Sequence, residues 1–291
     1  MIVPKSRRPV PLATLASVLI HSDILMRIGV PHAFTTRHGG VSLPPFDSLN
    51  FGNPGELPAH VARDSKTNIE RNFQIVLDEL GCEERRIVQV HQVHGPDVLV
   101  VKHAGTSHSS HSSTITPTHA ALTIKWGETK ADAIVSDDPA CVVAVRVADC
   151  CPVLIASNDG RVVAAVHAGW RGVISGVAPA AVATLKEHGA KGIVAAIGPC
   201  ISSDHFEVGP EVAAEFRRVF GTFAAIVRNG AGDRSLVDLK EALRVQVLGC
   251  GVSAVDVLPH CTVRDASLFF SHRRENGISG RMVGVIGASA R

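Results

Sequence analysis

Residues 147–172 read VADCCPVLIASNDGRVVAAVHAGWRG. Two apolar runs in this stretch, CPVLIAS and RVVAAVHAG, flank the sequence Asn158-Asp159-Gly160. An Asp-Gly pair between two such runs is a strong signal for a β-hairpin. The stretch therefore predicts two antiparallel strands joined by a turn near residues 158–160.

The residues at the centre of the turn decide which side chains meet across the hairpin. If Asn158 and Asp159 are central, Cys150 lies directly opposite His167. If Asp159 and Gly160 are central, Cys150 and His167 become diagonal neighbours on the same face. Either register brings a thiol and an imidazole together at the open end of the hairpin.

A cysteine and a histidine at this separation have two chemical uses. Cys150 can act as a nucleophile with His167 as its base, or the two can bind a zinc ion. A zinc site needs a third ligand, and the candidate is His94, which ends the predicted strand 86–94 just before Gly95-Pro96. His91 lies three residues earlier, so on a strand it points to the opposite face. Three protein ligands and one open position are typical of catalytic zinc.

Composition excludes several classes of protein. The chain has 29 Lys and Arg against 27 Asp and Glu, whereas nucleic-acid binders usually carry a concentrated basic excess. Its 7 cysteines are an odd number that does not fit a disulfide framework and favours a reducing compartment. Residues 1–23 resemble a signal peptide only loosely, and no run approaches the roughly 18 apolar residues that span a bilayer. We therefore expect a soluble cytoplasmic protein that binds neither nucleic acid nor membranes.

The remaining periodicity predicts an α+β fold. Helices are expected within 59–80 with Gly81 as the cap, across 172–188, from Pro210 onward and near 235–249. Short β-type runs lie between them and end with a strand at 282–287. The sequence thus predicts mixed, largely antiparallel β-sheets packed with flanking helices in a single domain, residues 1–291. Residues 103–119, rich in His, Ser and Thr, are expected to form a flexible insertion.

Several motifs in fixed order resemble a known family. They are QVHG (92–95), ADAIVSD (131–137), ADC (148–150), HAGWRG (167–172), IGPCI (197–201) and FFSHRRENGISGRM (269–282). Together they resemble the YfiH-like family over about Phe34 to Ile286. This family has long been described as laccase-domain or polyphenol oxidase proteins, and more recently as zinc-dependent purine nucleoside phosphorylases with adenosine deaminase activity. The resemblance implies the metal ligands His94, Cys150 and His167.

Further site residues follow with less support from the motifs. HAGWRG leads into the predicted helix 172–188, and its Arg171 offers a charged fork for phosphate. Asp149, beside a ligand, is a candidate for accepting a proton or orienting that ligand, so both are predicted to be catalytic. Residues 35–52 resemble the family's substrate-side loop, which makes Arg37 and Asn50 candidates for binding phosphate or ribose. In the motif 269–282 this chain has His272 where the family more usually has Tyr.

The resemblance implies phosphorolysis of adenosine, inosine or methylthioadenosine to the free base and ribose 1-phosphate, together with deamination of adenosine. The expected partners are these small molecules, and the expected state is a monomer or homodimer. Three alternatives stay open: a copper-dependent polyphenol oxidase, a metal-free cysteine hydrolase using Cys150 and His167, and a binding module with structural zinc. Structural zinc usually has four protein ligands, so a fourth Cys or His at the site would favour the last.

Overall fold

The computed structural model describes residues 19–55, 57–103, 128–221 and 225–289. Residues 104–119 of the predicted insertion therefore lie outside the described residues. The strands are β1 (Leu19–Ile20), β2 (His32–Thr35), β3 (Arg86–Val88), β4 (Val98–Val101), β5 (Ala133–Ser136), β6 (Cys141–Val147), β7 (Cys151–Ala156), β8 (Val163–Ala168), β9 (Val194–Ile197), β10 (Glu207–Val208), β11 (Val227–Asn229), β12 (Ser235–Val237), β13 (Ala254–Val257) and β14 (Met282–Gly287). The helices are α1 (Asp23–Arg27), α2 (Lys66–Glu79), α3 (Trp170–Ser175), α4 (Val177–Glu187), α5 (Pro210–Phe220) and α6 (Leu239–Gly249).

These strands form two large sheets and one small one. The first large sheet has the order β1-β2-β14-β6-β3, and the second has the order β13-β9-β7-β8-β5-β4. The third sheet has three strands in the order β10-β12-β11. The pairs β3–β6, β4–β5 and β9–β13 are parallel, whereas the other pairs are antiparallel. The prediction of mixed, largely antiparallel sheets is confirmed.

The hairpin of β7 and β8 adopts the second of the two predicted registers. Pro152 lies opposite His167 and Ala156 lies opposite Val163, which places Asp159 and Gly160 at the centre of the connection. Cys150 immediately precedes β7. It is therefore a diagonal neighbour of His167 on one face of the hairpin.

The two large sheets pack face to face, and helices cover their outer faces. Between the sheets lies a cluster of buried side chains from both, which includes Phe34, Val143, Val145, Leu154, Ala165 and Ile286. The outer face of the first sheet packs against α2 through Ile69, Phe73, Val76 and Leu77. Burying a side chain of this size contributes about 1.5–3 kcal/mol. The outer face of the second sheet packs against α3, α4, α5 and α6.

The chain departs from the sequence prediction at three element ends. The predicted helix across 172–188 is two helices, because Gly176 adopts a left-handed conformation with φ 82°. The helix predicted near 235–249 begins only after Asp238, whose side chain accepts a hydrogen bond from the backbone N–H of Glu241. Strand β3 ends at Val88, so His94 lies in a turn and not at a strand end. Gly81 and Pro210 lie where predicted, just after α2 and at the start of α5.

The fold thus agrees with the predicted α+β class, and the single-domain organisation stays a prediction. In the part of the chain that the structure describes, no helix is both long enough and apolar enough to cross a membrane.

Candidate metal centre

Three predicted ligands come together at the open end of the β7–β8 hairpin. The ligand atoms of His94, Cys150 and His167 all lie within 4.8 Å of one another. The Cys150 Sγ atom lies 3.9 Å from His94 Nε2. The rings of His94 and His167 meet edge to face, with centroids 4.8 Å apart. The structure therefore brings two imidazoles and one thiol around a common point.

A buried carboxylate holds the turn that carries His94. Asp132 is fully buried at the start of β5 and accepts hydrogen bonds from three consecutive backbone N–H groups, those of Val93, His94 and Gly95, at 2.7–3.0 Å. Three donors that point at one carboxylate require a tightly curved backbone, and His94 has φ 62°. The left-handed conformation of His94 is thereby stabilised by Asp132.

The same carboxylate orients the second imidazole. His167 Nδ1 donates to Asp132 Oδ1 at 2.7 Å, and the backbone N–H of His167 donates to the carbonyl oxygen of Asp132 at 2.7 Å. The Nε2 atom of His167 is left to bind a ligand. Histidines that bind metals usually donate their other N–H to a carboxylate or carbonyl, which fixes the ring and its tautomer. Asp132 lies in the ADAIVSD motif, but the sequence alone does not predict it as a site residue.

The charges of Cys150 and His167 shift each other's pKa. Burial raises the pKa of a thiol, but the charge and hydrogen bond of His167, with a hydrogen bond from His94, lower the pKa of Cys150 to about 6. Burial lowers the pKa of an imidazole, but the charge of Cys150 and the hydrogen bond to Asp132 raise the pKa of His167 to about 9. Without a metal, the pair is therefore a thiolate and an imidazolium at neutral pH.

The donor set fits a zinc ion. Zinc prefers thiolate sulfur and imidazole nitrogen, and tetrahedral bonds of usual length place sulfur about 3.6 Å from nitrogen. The observed 3.9 Å between Cys150 Sγ and His94 Nε2 is close to that spacing. Copper also binds two histidines and one cysteine, so the geometry establishes a candidate metal site without choosing the metal.

Comparison with known proteins places the chain in a family. A family model described as multi-copper polyphenol oxidoreductase laccase matches residues 31–289. The chain belongs to this family. Within the family it is 36% identical over 260 residues to purine nucleoside phosphorylase YfiH of Escherichia coli, covering 89% of this chain and 93% of that protein. A purine nucleoside phosphorylase of Deinococcus radiodurans is 33% identical over 266 residues, covering 91% of each.

Solved structures agree with this placement. The crystal structure of YlmD from Geobacillus stearothermophilus matches with a TM-score of 0.75 at 31% identity, covering 92% of this chain and 94% of that chain. A Bacillus licheniformis protein named YfiH matches with a TM-score of 0.76 at 28% identity, covering 96% and 98%. The predicted resemblance to the YfiH-like family is confirmed.

The first glycine of the HAGWRG motif, Gly169, allows His94 and Cys150 to pack closely in this laccase-family chain. A Cβ atom on Gly169 would lie 2.8 Å from His94 Cδ2 and 2.9 Å from Cys150 Sγ. The backbone of Gly169 is extended, with φ −74° and ψ 172°, so alanine is allowed there by conformation. The constraint at this position is therefore contact with the two ligands.

We expect Gly169→Ala to lower metal content while every ligand is retained, because the new methyl group displaces His94 or Cys150. The affinity for zinc should fall about 10- to 100-fold, as it does when the supports of metal ligands are removed. Metal per chain after dialysis against a weak chelator measures this. Gly249→Ala, whose Cβ would meet nothing within 4 Å, is the matched control. Full zinc affinity in Gly169→Ala would contradict the expectation.

Asp149, a predicted catalytic residue, is bonded on both carboxylate oxygens. Thr262 Oγ1 donates to Oδ1 at 2.5 Å, and the backbone N–H of Arg273 donates to Oδ2 at 2.7 Å. Asp149 is largely buried and has φ 83°. These two bonds hold Thr262 and the 269–282 motif against Asp149, the residue directly before Cys150, and so support the position of Cys150. Its role in proton transfer stays a prediction.

Arg171, the other predicted catalytic residue, is exposed on α3. Its guanidinium stacks over the ring of Trp170, 4.3 Å from the centroid. Among the described residues it has no carboxylate partner. Its predicted contact with phosphate remains a prediction.

The two predicted substrate-binding residues lie in the loop 35–52 and are already bonded within the protein. Arg37 lies 3.6 Å from carboxylate oxygens of both Asp47 and Glu275. The fully buried Asn50 donates to Asp64 Oδ2 at 2.8 Å and accepts from the backbone N–H of Arg281 at 2.8 Å. Both residues therefore shape the loop, and their contact with substrate stays a prediction.

Proposed function

We propose that the chain is a zinc-dependent purine nucleoside phosphorylase that also deaminates adenosine. The observation that carries this proposal is the convergence of His94, Cys150 and His167, backed by the carboxylate of Asp132. Three protein ligands leave room for a substrate oxygen or water. The Escherichia coli and Deinococcus radiodurans relatives, named purine nucleoside phosphorylases, support the substrate class.

The ligand set favours zinc over a multi-copper centre. Among the described residues, His94, Cys150 and His167 are the group of three or more His, Cys, Asp or Glu side chains that is arranged to hold a metal. Reduction of oxygen by four electrons requires several copper ions, and three side chains serve one ion. A single Lewis-acidic ion, by contrast, is sufficient for phosphorolysis and for deamination.

The metal ligands, Asp132 and arginine side chains would have different roles in the reaction. Bound zinc would polarise an oxygen of phosphate, ribose or water, which lowers the barrier to attack. In phosphorolysis a phosphate oxygen bonds to C1′ of ribose while the bond from C1′ to the purine nitrogen breaks, and the purine leaves with the electron pair and takes up a proton. His94, Cys150 and His167 would hold the ion, and the hydrogen bond from His167 Nδ1 to Asp132 leaves the Nε2 atom of His167 free to bind it. Arginine side chains neutralise the charge on phosphate.

Turnover and metal content test the proposal together. The purified protein should contain about one zinc per chain and should release free base from adenosine, inosine or methylthioadenosine only when phosphate is present. Conversion of adenosine to inosine should not require phosphate. Absence of base release with every nucleoside, in protein that carries zinc, would contradict the phosphorylase assignment.

One observation favours a second candidate, a metal-free cysteine hydrolase. The pKa of Cys150 is lowered, chiefly by the charge of His167 acting against burial, to about 6, as expected of a nucleophilic thiolate. Hydrolysis of an ester or amide that persists in chelator and needs no phosphate would favour this candidate. Rapid loss of activity in chelator, with recovery on adding zinc, would exclude it.

We also propose a reducing, cytoplasmic location, which the free state of all seven cysteines supports. The choice between monomer and homodimer stays a prediction.

A further inference from the structure

Two arginines, one in β6 and one directly before β14, meet beneath the loop 35–52. Arg146 lies near the end of β6, paired with Val283 of β14, and Arg281 lies two residues before Val283. A Cβ atom on Gly52 would lie 3.3 Å from both Cδ and Nη1 of Arg146 and 3.9 Å from Cγ of Arg281. The backbone of Gly52 therefore covers both side chains at one point.

Neither arginine forms an ion pair with a carboxylate among the described residues, although the charges of Asp149 and Glu275 also act on Arg281. Arg281 donates from Nη1 to Ser279 and to the carbonyl oxygen of Gly280 at 2.9–3.0 Å, and Arg146 donates from Nη2 to the carbonyl oxygen of Val90 at 3.4 Å. The other guanidinium N–H groups have no protein acceptor in the described part of the chain. Burial lowers the pKa of both arginines. Two adjacent, partly buried positive charges are costly unless an anion joins them.

A buried carboxamide directly after β3 also lacks partners. Gln89 is 3% exposed, and neither its Nε2 nor its Oε1 atom has a hydrogen-bond partner among the described residues. Its neighbour Val90 is the residue whose carbonyl oxygen accepts from Arg146. A buried amide without hydrogen-bond partners destabilises the fold and calls for an explanation. Continuing the parallel pairing of β3 with β6 places Gln89 beside Ala144, on the face of the sheet that carries Arg146. It offers one donor and one acceptor on that face.

The arginine pair is linked to the metal centre. The Gln92 side chain donates to the carbonyl oxygen of Arg146 and accepts from its N–H, both at 2.8 Å. Gln92 is two residues before His94, and Arg146 is four residues before Cys150. The negative charge of Cys150 also acts on Arg281, where it offsets part of the effect of burial on the pKa. An anion held by these arginines would therefore lie beside the ligands.

We propose that Arg146, Arg281 and Gln89 form the subsite for hydrogen phosphate in the reaction proposed above. Guanidinium N–H groups bind phosphate oxygens with charge-assisted hydrogen bonds. Gln89 Nε2 donates to another phosphate oxygen, and Oε1 accepts from the P–OH group. Sulfate has no such hydroxyl at neutral pH, so the subsite prefers phosphate to sulfate.

The two arginines predicted from the sequence to bind substrate or phosphate, Arg37 and Arg171, are less suited to this role. Arg37 is paired with Asp47 and Glu275, so its charge is already neutralised. Arg171 is exposed on the ring of Trp170, where water screens its charge. Arg146 combines burial, free donors and the absence of a carboxylate partner in the described structure.

Two variants of the zinc-loaded protein test the subsite. Arg146→Met should raise the KM for phosphate about 10- to 100-fold, the effect of losing charge-assisted hydrogen bonds, with zinc content and the KM for inosine unchanged. Gln89→Leu should unfold at a higher temperature, because it removes an unpartnered polar group, and should reduce the preference for phosphate over sulfate about tenfold. Arg218→Met, on the exposed face of α5, is the control for loss of one positive charge.

Calorimetry with inorganic phosphate and with sulfate, without nucleoside, separates this proposal from the proposed function. Weaker phosphate binding in Arg146→Met supports the subsite even if no nucleoside is cleaved. Unchanged phosphate affinity in both variants, in protein that cleaves inosine, overturns the subsite and leaves the phosphorylase standing. If Arg146→Met does not fold, Arg146→Lys keeps the charge and loses the fork, and it must still weaken phosphate binding.

Discussion

Cys150→Ser protein is expected to lose zinc and phosphorolysis activity together. The Sγ atom of Cys150 is the sole sulfur among the three ligand atoms that the described structure brings together. Serine replaces a thiol whose pKa is lowered to about 6, chiefly by the charge of His167 acting against burial. A hydroxyl is a far weaker acid than this thiol, so it offers no anionic ligand at neutral pH.

The expected loss of zinc affinity can be estimated by dividing the zinc-binding free energy among the ligands. Zinc sites of four ligands bind with about 10–16 kcal/mol, so one ligand contributes roughly 3 kcal/mol, or at least a hundredfold in affinity. Activity should fall about a thousandfold or more, because polarisation by a metal contributes several kcal/mol to the stabilisation of the transition state. Metal analysis after gel filtration and the rate of inosine phosphorolysis measure the two losses.

Cys250→Ser is the matched control, since Cys250 is a partly exposed thiol at the end of α6. It should keep both zinc and activity. His167→Ala should behave like Cys150→Ser. If His94→Ala protein that contains no zinc still cleaves nucleosides, the catalytic role of the metal is wrong. If Cys150→Ser keeps its zinc but loses activity, Cys150 is a nucleophile.

The hairpin could be predicted because neighbouring residues in the sequence determine its strands and its turn. Strand alternation and the Asp159-Gly160 pair limited the register to two choices, and both placed Cys150 beside His167. The structure selects one of them. The third candidate ligand, His94, follows from its position beside Gly95-Pro96 and from the family motif, but the prediction that it ends a strand is wrong. The convergence of these three side chains was therefore predictable, and the turn that carries His94 was not.

That turn depends on a residue far away in the sequence. Asp132 binds three N–H groups of residues 93–95, and backbone donors leave no mark in an amino-acid pattern. Arg146 was hidden for a related reason, because it interrupts the apolar run CVVAVRV and reads as an ordinary outward-facing residue of a strand. Its burial depends on Gly52, which comes from a loop packed over the sheet. Such contacts between distant segments are set by packing and not by local periodicity.

Asp132→Asn should weaken zinc binding about 10- to 100-fold although Asp132 is not a ligand, as expected for a carboxylate that supports a bound histidine. The carboxylate accepts from His167 Nδ1 and from three backbone N–H groups. Asparagine has one acceptor oxygen, and its NH₂ group points donors at donors. The turn of His94 should loosen, and His167 should lose its fixed orientation.

The pH dependence of zinc affinity distinguishes two effects of Asp132→Asn: misplacement of His94 and His167, and loss of the negative charge that stabilises protonated His167. Because the pKa of Cys150 is lowered to about 6 and that of His167 is raised to about 9, the metal displaces one proton from His167 between these values. Zinc affinity of the native protein should therefore rise about tenfold per pH unit from pH 6 to 9 and then level off. Removing the Asp132 charge lowers the pKa of His167, since the imidazolium loses the partner that stabilises it.

In Asp132→Asn, affinity should therefore level off at a lower pH than in the native protein. Protons then compete less with zinc at pH 7, which hides part of the positional loss there. The deficit relative to native protein should be larger at pH 9.5 than at pH 7, as measured with a competing chelator. Asp138→Asn, a buried aspartate that pairs with Arg86 outside the metal centre, should lower stability without changing this profile. A deficit that is the same at both pH values would mean that Asp132 acts through the turn of His94 alone and does not hold the proton of His167.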